Sequence, residues 1–186
     1  MVVFTALGDR VDRWLTINEA KIIAQQGYQY GRMAPGKINS HAAGVVIHHL
    51  NLAHGRAVTA FRTAKAKGRI GPDTLTRTRR EYGSPEVMIT ENGVPDSDGD
   101  SGQPTVDHAR VEFLKQHLRA LHQAITDGCR VIGYHAWSLL DNFEWAAGYS
   151  QRWGLVRVDF DTFQRIIKGS ASWYSTVAEG NQLPRK

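Results

Sequence analysis

Cysteine occurs once in this chain of 186 residues, at Cys129, so no intramolecular disulfide can form. That count fits a reducing compartment. Cys129 follows Gly128 near a predicted helix end and reads as a small packing residue rather than a nucleophile. No apolar run approaches the roughly 20 residues a membrane span needs. The first residues run straight into Asp9 and Arg10 with neither a basic start nor a long apolar core. No targeting signal is read there, and a cytoplasmic location is expected. Repeats and low-complexity tracts are missing, which excludes solenoids and linkers. Gly8-Asp9-Arg10 has no phosphate-loop pattern, and no HExxH occurs. His41, His48, His49 and His54 lack the four-residue spacing of a helical zinc pair, so they read as packing and surface residues.

What remains is ordinary globular material. Hydrophobic residues make up 41% and charged residues 22%, and the mean hydropathy is −0.39. A chain of this length should bury roughly 70% of its unfolded surface, enough for one sizeable domain. The net charge is +5. The basic residues concentrate at Arg62, Lys65, Lys67 and Arg69, then at Arg77, Arg79 and Arg80, with no aromatic rings interleaved for stacking on bases. They read as solvated helix faces, not as a nucleic-acid surface. Asp96, Asp98, Asp100 and Asp107 approximate calcium-loop positions, but Ser101 stands where that loop needs glycine. A solvated acidic loop is the expected reading.

Short strands alternate with helices. Trp14-Leu15-Thr16-Ile17 is an apolar, β-branched run that delivers Asn18 and Glu19 at its end. Three- and four-residue spacing of Ala43, Val46, Ile47, Leu50, Ala57, Val58 and Phe61 predicts a long amphipathic helix over residues 40–67. Another helix is predicted over 74–82, stopped by Gly83. Residues 87–93 repeat the first pattern, a strand ending in Glu91 before an Asn-Gly turn. Val111, Leu114, Leu118, Leu121 and Ile125 mark a helix closed by Gly128. A third strand covers 130–138, a strand outside the main sheet 155–160, and a terminal helix 172–178. Arg69-Ile70-Gly71 has the look of a fourth strand's stump. Such alternation predicts an α/β fold of parallel β/α units with its site at the strand C-termini.

Two glutamates therefore occupy equivalent strand ends, Glu19 and Glu91. Paired carboxylates are what glycosidic cleavage needs, one protonated to release the departing oxygen and one ionised for the anomeric carbon. Trp137, Glu144 and Trp145 add a platform for the C–H face of a sugar and a carboxylate for its hydroxyls. On patterning alone, a salt bridge or a helix N-cap is the commoner reading of two such glutamates.

The motifs Thr16-Ile17-Asn18-Glu19, Ile89-Thr90-Glu91-Asn92-Gly93 and Trp137-Ser138-Leu139-Leu140-Asp141-Asn142-Phe143-Glu144-Trp145 resemble family 1 glycoside hydrolases, the retaining β-glucosidase family. His49-Leu50-Asn51-Leu52-Ala53-His54-Gly55 and Arg152-Trp153-Gly154-Leu155-Val156 match it too. The resemblance covers almost the whole chain. It implies a (β/α)8 TIM-barrel ancestry, Glu19 as general acid/base and Glu91 as nucleophile. It further implies Asn18 on the sugar 2-hydroxyl, Trp137 beneath the ring, and Glu144 and Trp145 on its outer hydroxyls. A carboxylate at Glu144 would repel a sugar phosphate. No cofactor or metal is implied, since two carboxylates and water suffice.

Departures accompany the matches. The resemblance makes the Asn-Glu strand the family's fourth, so three preceding β/α units are absent, with an Arg that adjoins the nucleophile. The resemblance further implies that near 70–72 the chain jumps to the helix before the seventh strand, losing a Tyr that hydrogen-bonds the nucleophile. Ala20 replaces a proline after the acid/base. The expectation is a single, incomplete barrel domain over 1–186 acting on a β-glycoside or oligosaccharide, with no nucleic-acid or membrane partner. Its open edges would favour homo-oligomers. The alternative is an inactive partial barrel that binds sugar weakly or complements another chain.

Overall fold

In the computed structural model, which describes residues 2–65, 69–71, 86–96 and 107–184, the chain divides into two units, Met1–Thr74 and Leu75–Lys186.

The first unit begins with a short helix, α1 (Val2–Leu7), which the sequence reading lacked. Its Phe4 ring stands edge-on to Trp14 at 5.0 Å and to Phe61 at 5.5 Å. These rings tie α1 to strand β1 (Arg13–Leu15) and to helix α3 (Ser40–Thr63). Strand β1 is shorter than its apolar run, because Thr16 turns away to bond His54 of α3, Oγ1 to Nδ1 at 2.8 Å. The stump at Arg69–Gly71 is a real strand, β2, paired parallel to β1 with Trp14 opposite Ile70.

Helix α2 (Ala20–Ile22) widens at once into a π-helix, Ile23–Gln29, that no periodicity announced. Gly27 in it is buried, and a Cβ there would lie 2.6 Å from the Ala34 carbonyl oxygen. Only glycine permits that approach. The 30–38 loop then folds back, with Lys37 and Asn39 donating to the carbonyls of Gly27 and Tyr28 at 2.9 and 2.7 Å. Asn39 caps α3, its side-chain oxygen accepting from the Ala42 amide at 2.9 Å. The helix ends at Thr63 rather than at 67, where Lys65 turns left-handed (φ 51°).

The second unit contains one complete β/α/β step. Strand β3 (Glu86–Asn92) pairs parallel with β4 (Arg130–Ala136), and helix α4 (His108–Thr126) lies between them in sequence. Leu114 and Leu118 of its apolar stripe are buried, whereas Ile125, in the last turn, is exposed. Gly128, at φ 90°, ends the helix as expected. A hairpin follows, β5 (Val156–Val158) antiparallel to β6 (Arg165–Ile167). The predicted 155–160 strand is its first arm. Helix α5 (Gly169–Gly180) extends beyond the predicted 172–178 at both ends.

Each unit thus holds one parallel strand pair, a partial α/β architecture with no closed barrel among the described residues. The predicted 74–82 helix, the basic cluster Arg77, Arg79 and Arg80, and Lys67, Asp98, Asp100 and Ser101 lie outside the described residues. Among those described, no helix is long and apolar enough to cross a membrane. Nor do three metal-binding side chains converge among them.

Candidate active site

Each candidate residue lies at or beyond the C-terminal end of a parallel strand. In the first unit, Asn18 and Glu19 come just after β1 and both are exposed. Glu19 adopts the left-handed region, φ 44° and ψ 48°, and stands at the N-cap position of α2. Its side chain makes no capping bond; only its carbonyl serves the helix, accepting from Ile23 N at 3.0 Å. The cap alternative for this glutamate is therefore excluded. A non-glycine residue held left-handed costs of order 1–3 kcal/mol, and such costs cluster at functional positions. The Thr16–His54 bond fixes the chain two residues before Asn18.

The second unit brings Glu91, Trp137, Glu144 and Trp145 onto two neighbouring strand ends. Glu91 is exposed, while Thr90 and Asn92 on either side are half-buried, the alternation a strand imposes. Asn92 fastens β3 to β4 twice. Its side-chain oxygen accepts from the Tyr134 hydroxyl at 2.7 Å, and its carbonyl accepts from Trp137 N at 2.8 Å. Burial, with Tyr174 adding to it, pushes the Tyr134 hydroxyl above its usual pKa, which keeps it a donor. Gly93 passes so close to Trp137 that a Cβ would fall within its carbonyl group. The loop beyond Trp137 is braced internally: Ser138 N donates to Trp153 O at 3.1 Å, and Asn142 donates to Ser138 Oγ at 3.0 Å. Glu144 is half-buried and its amide donates to Gly148 O at 2.7 Å. Trp145 is 72% exposed and left-handed (φ 45°), so its indole is available to a ligand rather than used in packing.

Beneath these loops lies a network that sequence reasoning missed. Among the described residues, the second unit buries Asp107, Arg110, Ser138, Asp141, Lys168 and Ser170, against Leu114, Leu118, Leu155 and Val158 as buried apolar side chains. Asp107 precedes α4, yet its carboxylate accepts from Ser170 N at 2.8 Å and from the Ser170 hydroxyl, and pairs with Arg110 at 3.6 Å. Arg110 donates to the carbonyls of Gly154 and Arg152. Asp141 accepts from the amides of Gly154 and Val158 at 2.8 and 3.3 Å and pairs with Arg152 at 3.5 Å. Lys168 Nζ lies 3.5 Å from Asp141 and 3.6 Å from Asp96. Burial lowers the pKa of Arg110, opposed by Asp107, Asp96 and Asp141.

These contacts correct the acidic-loop expectation. Asp107 is 1% exposed and Asp96 faces a buried ammonium, so neither belongs to a solvated face. The available signals were an aspartate just before a helix and Lys168 and Ser170 opening another; what joins them spans 63 residues of chain. A hollow of about 490 Å³ lined by Val94, Pro95, Asp96, Ala109, Phe113, Ser150 and Gln151 contains none of the six candidate residues.

Comparison with known proteins adds to this geometry. The family model described as Glycosyl hydrolase family 1 matches residues 1–79 and again 72–183. Beta-glucosidase A of Thermotoga maritima is 29% identical over 296 aligned positions, which take in 98% of this chain and 66% of that protein. The chain thus spans slightly under two thirds of its length, and 186 residues fill those positions only with a long gap. A 6-phospho-beta-galactosidase of Streptococcus mutans is 44% identical over 108 residues, 58% of this chain and 23% of its own. The solved beta-glucosidase from Thermotoga maritima in complex with glucoimidazole superposes with a TM-score of 0.84 at 28% identity, over 98% of this chain and 67% of that one.

Proposed function

We propose, for a chain that belongs to glycosyl hydrolase family 1, that its reaction is the retaining hydrolysis of terminal β-D-glycosides. The observation that carries this reading is the placement of two glutamates, each exposed, at or just past the C-terminal ends of parallel strands. Glu91 sits beside the loop of Trp137, Glu144 and Trp145. The likeness to a beta-glucosidase whose structure holds glucoimidazole supports a sugar ligand.

In the proposed reaction the ionised Glu91 attacks the anomeric carbon while Glu19 donates its proton to the glycosidic oxygen. The C–O bond breaks and the aglycone leaves as an alcohol. Glu19, now a carboxylate, takes a proton from water, and the water oxygen displaces Glu91. The sugar leaves with its original configuration and Glu19 is protonated again. Asn18 holds the 2-hydroxyl, Trp137 stacks beneath the ring, and Glu144 and Trp145 take the outer hydroxyls. The glycone is unphosphorylated, despite the likeness to a 6-phospho-beta-galactosidase, because the Glu144 carboxylate repels a phosphate dianion.

Nitrophenol release from nitrophenyl β-glucoside, and from its 6-phosphate, tests the reading. Turnover of the first that vanishes in Glu91→Ala is expected. Equal release by wild type and variant, or preference for the phosphate, refutes it.

One observation favours a second reading, in which the working unit is a homo-oligomer or a complex with a complementing chain. Among the described residues the parallel sheets are two-stranded, with Leu15 and Ile132 on them exposed at 56% and 38%, whereas parallel strands are ordinarily buried on both faces. The two overlapping family matches support a discontinuity in the barrel sequence near 70–72. Specific activity that rises with chain concentration, together with a dimer or larger species by light scattering, supports association; a monomer with concentration-independent activity refutes it.

A further inference from the structure

Lys168 is the N-cap residue of α5, and its side chain is 1% exposed. Its ammonium reaches in two directions, to Asp141 Oδ1 at 3.5 Å and to Asp96 Oδ2 at 3.6 Å. Asp96 lies five residues beyond Glu91, on the segment leaving β3. Asp141 lies between Trp137 and Glu144, on the loop leaving β4. Both aspartates are also tied to one further strip of chain. Asp96 N donates to Arg152 O at 2.9 Å, and Asp141 accepts from Gly154 N at 2.8 Å and pairs with Arg152 at 3.5 Å.

Burying an ammonium is a poor route to stability. The desolvation cost can exceed the ion-pair gain, and replacing all the charged partners together by apolar side chains of similar volume is often neutral or better. What an ammonium does that a methyl group cannot is hold two carboxylates in ion-pair contact at once. Burial indeed lowers the Lys168 pKa, with Arg110 adding to the effect and Asp141, Asp96 and Asp107 opposing it.

We propose that Lys168 is a positioning residue for the candidate active site, its ammonium bridging the loop that follows Glu91 to the loop that carries Trp137, Glu144 and Trp145. The consequence for turnover rests on the glycosidase reading above. Lys168→Met should fold, because Asp141 keeps Arg152 and two backbone donors, but with a lower melting midpoint, because it strands buried carboxylates. It should lower kcat per folded chain on nitrophenyl β-glucoside by about 10- to 100-fold, the scale of a misplaced reacting group, with KM within about threefold. Ser170→Ala is the control from the same buried network, since the hydrogen bonds of Ser170 go to Asp107 at the start of α4. It should lower the midpoint and leave kcat per folded chain unchanged.

Amide exchange gives a readout independent of turnover. In Lys168→Met the amides of Asp96 and Gly154 should exchange at least about 10-fold faster, beyond any acceleration that the amides within β3 and β4 share. Unchanged exchange at both amides overturns the bridging role, as does a fall in kcat no larger than the folded fraction explains. A wild-type chain without turnover refutes the glycosidase reading instead, and exchange alone then decides the bridge. If Lys168→Met does not fold, Asp96→Asn removes one arm at a partly accessible residue, and its Asp96 segment must show the same acceleration.

Discussion

Replacing Asp107 by alanine tests the view that buried charge organises the second unit. The side chain is fully buried and serves three partners: the Ser170 amide, the Ser170 hydroxyl and the Arg110 guanidinium. Removing one member of a buried ion pair costs about 3–5 kcal/mol, because the remaining charge is stranded. Arg110 is stranded unusually well, being 2% exposed, with its Nε already lacking a partner. Each orphaned polar group at Ser170 adds about 1–3 kcal/mol, less than additively because all share one site. A loss of at least about 4 kcal/mol follows, against a total of about 5–15 kcal/mol for a domain. With a urea m-value of about 2 kcal/mol per molar, the unfolding midpoint of the second unit falls by about 2 M or more. Tryptophan fluorescence reports it, since Trp137, Trp145, Trp153 and Trp173 all belong to that unit. Asp107→Asn, which keeps an acceptor for the Ser170 amide, should lose less, and Ser170→Ala less again. A midpoint for Asp107→Ala within about 0.5 M of wild type would refute the reasoning.

Gly93→Ala should unfix the ends of β3 and β4, because its Cβ collides with backbone rather than with a movable side chain. A melting midpoint and glucoside turnover equal to wild type would contradict that. Asn39→Ala should cost the first unit about 1 kcal/mol through loss of the α3 cap, read from helical circular dichroism in urea. The Asp159 carboxyl is held below its ordinary range by hydrogen bonds from the amides of Thr162 and Asp161, with the Thr162 hydroxyl and Arg157 helping. Its folded form binds fewer protons than the unfolded chain, so its contribution is complete above the unfolded value of about 3.9 and is lost as pH falls through the lower folded value. Asp159→Asn should therefore flatten stability against pH below about pH 4. An unchanged slope there would remove Asp159 from the acid response.

Local pattern carried much of the architecture. Apolar spacing located α3 and α4, Gly128 ended α4 where expected, and the two short apolar runs became parallel strands with Glu19 and Glu91 just beyond or at their ends. Motif order pointed to the family that comparison then showed. These features depend on residues within a turn or a strand of one another, so one stretch of sequence holds all the information. The π-helix after Glu19 and the shortening of β1 were not legible in this way. They follow from the fold-back of 30–38 onto Gly27 and from the pull of His54 on Thr16, contacts made only when distant segments meet.

The chemistry divides along the same line. Sequence alone picked out the candidate side chains for reaction and sugar binding: Asn18, Glu19, Glu91, Trp137, Glu144 and Trp145. Tertiary structure alone decided that Glu19 is held left-handed without capping its helix, that Trp145 is left bare, and that Asp96 and Asp107 face buried cations instead of water. The reason is physical. A residue's chemistry belongs to its side chain, but its charge partners and exposure belong to whatever the folded chain brings within a few ångströms of it, here from as far as 63 residues away.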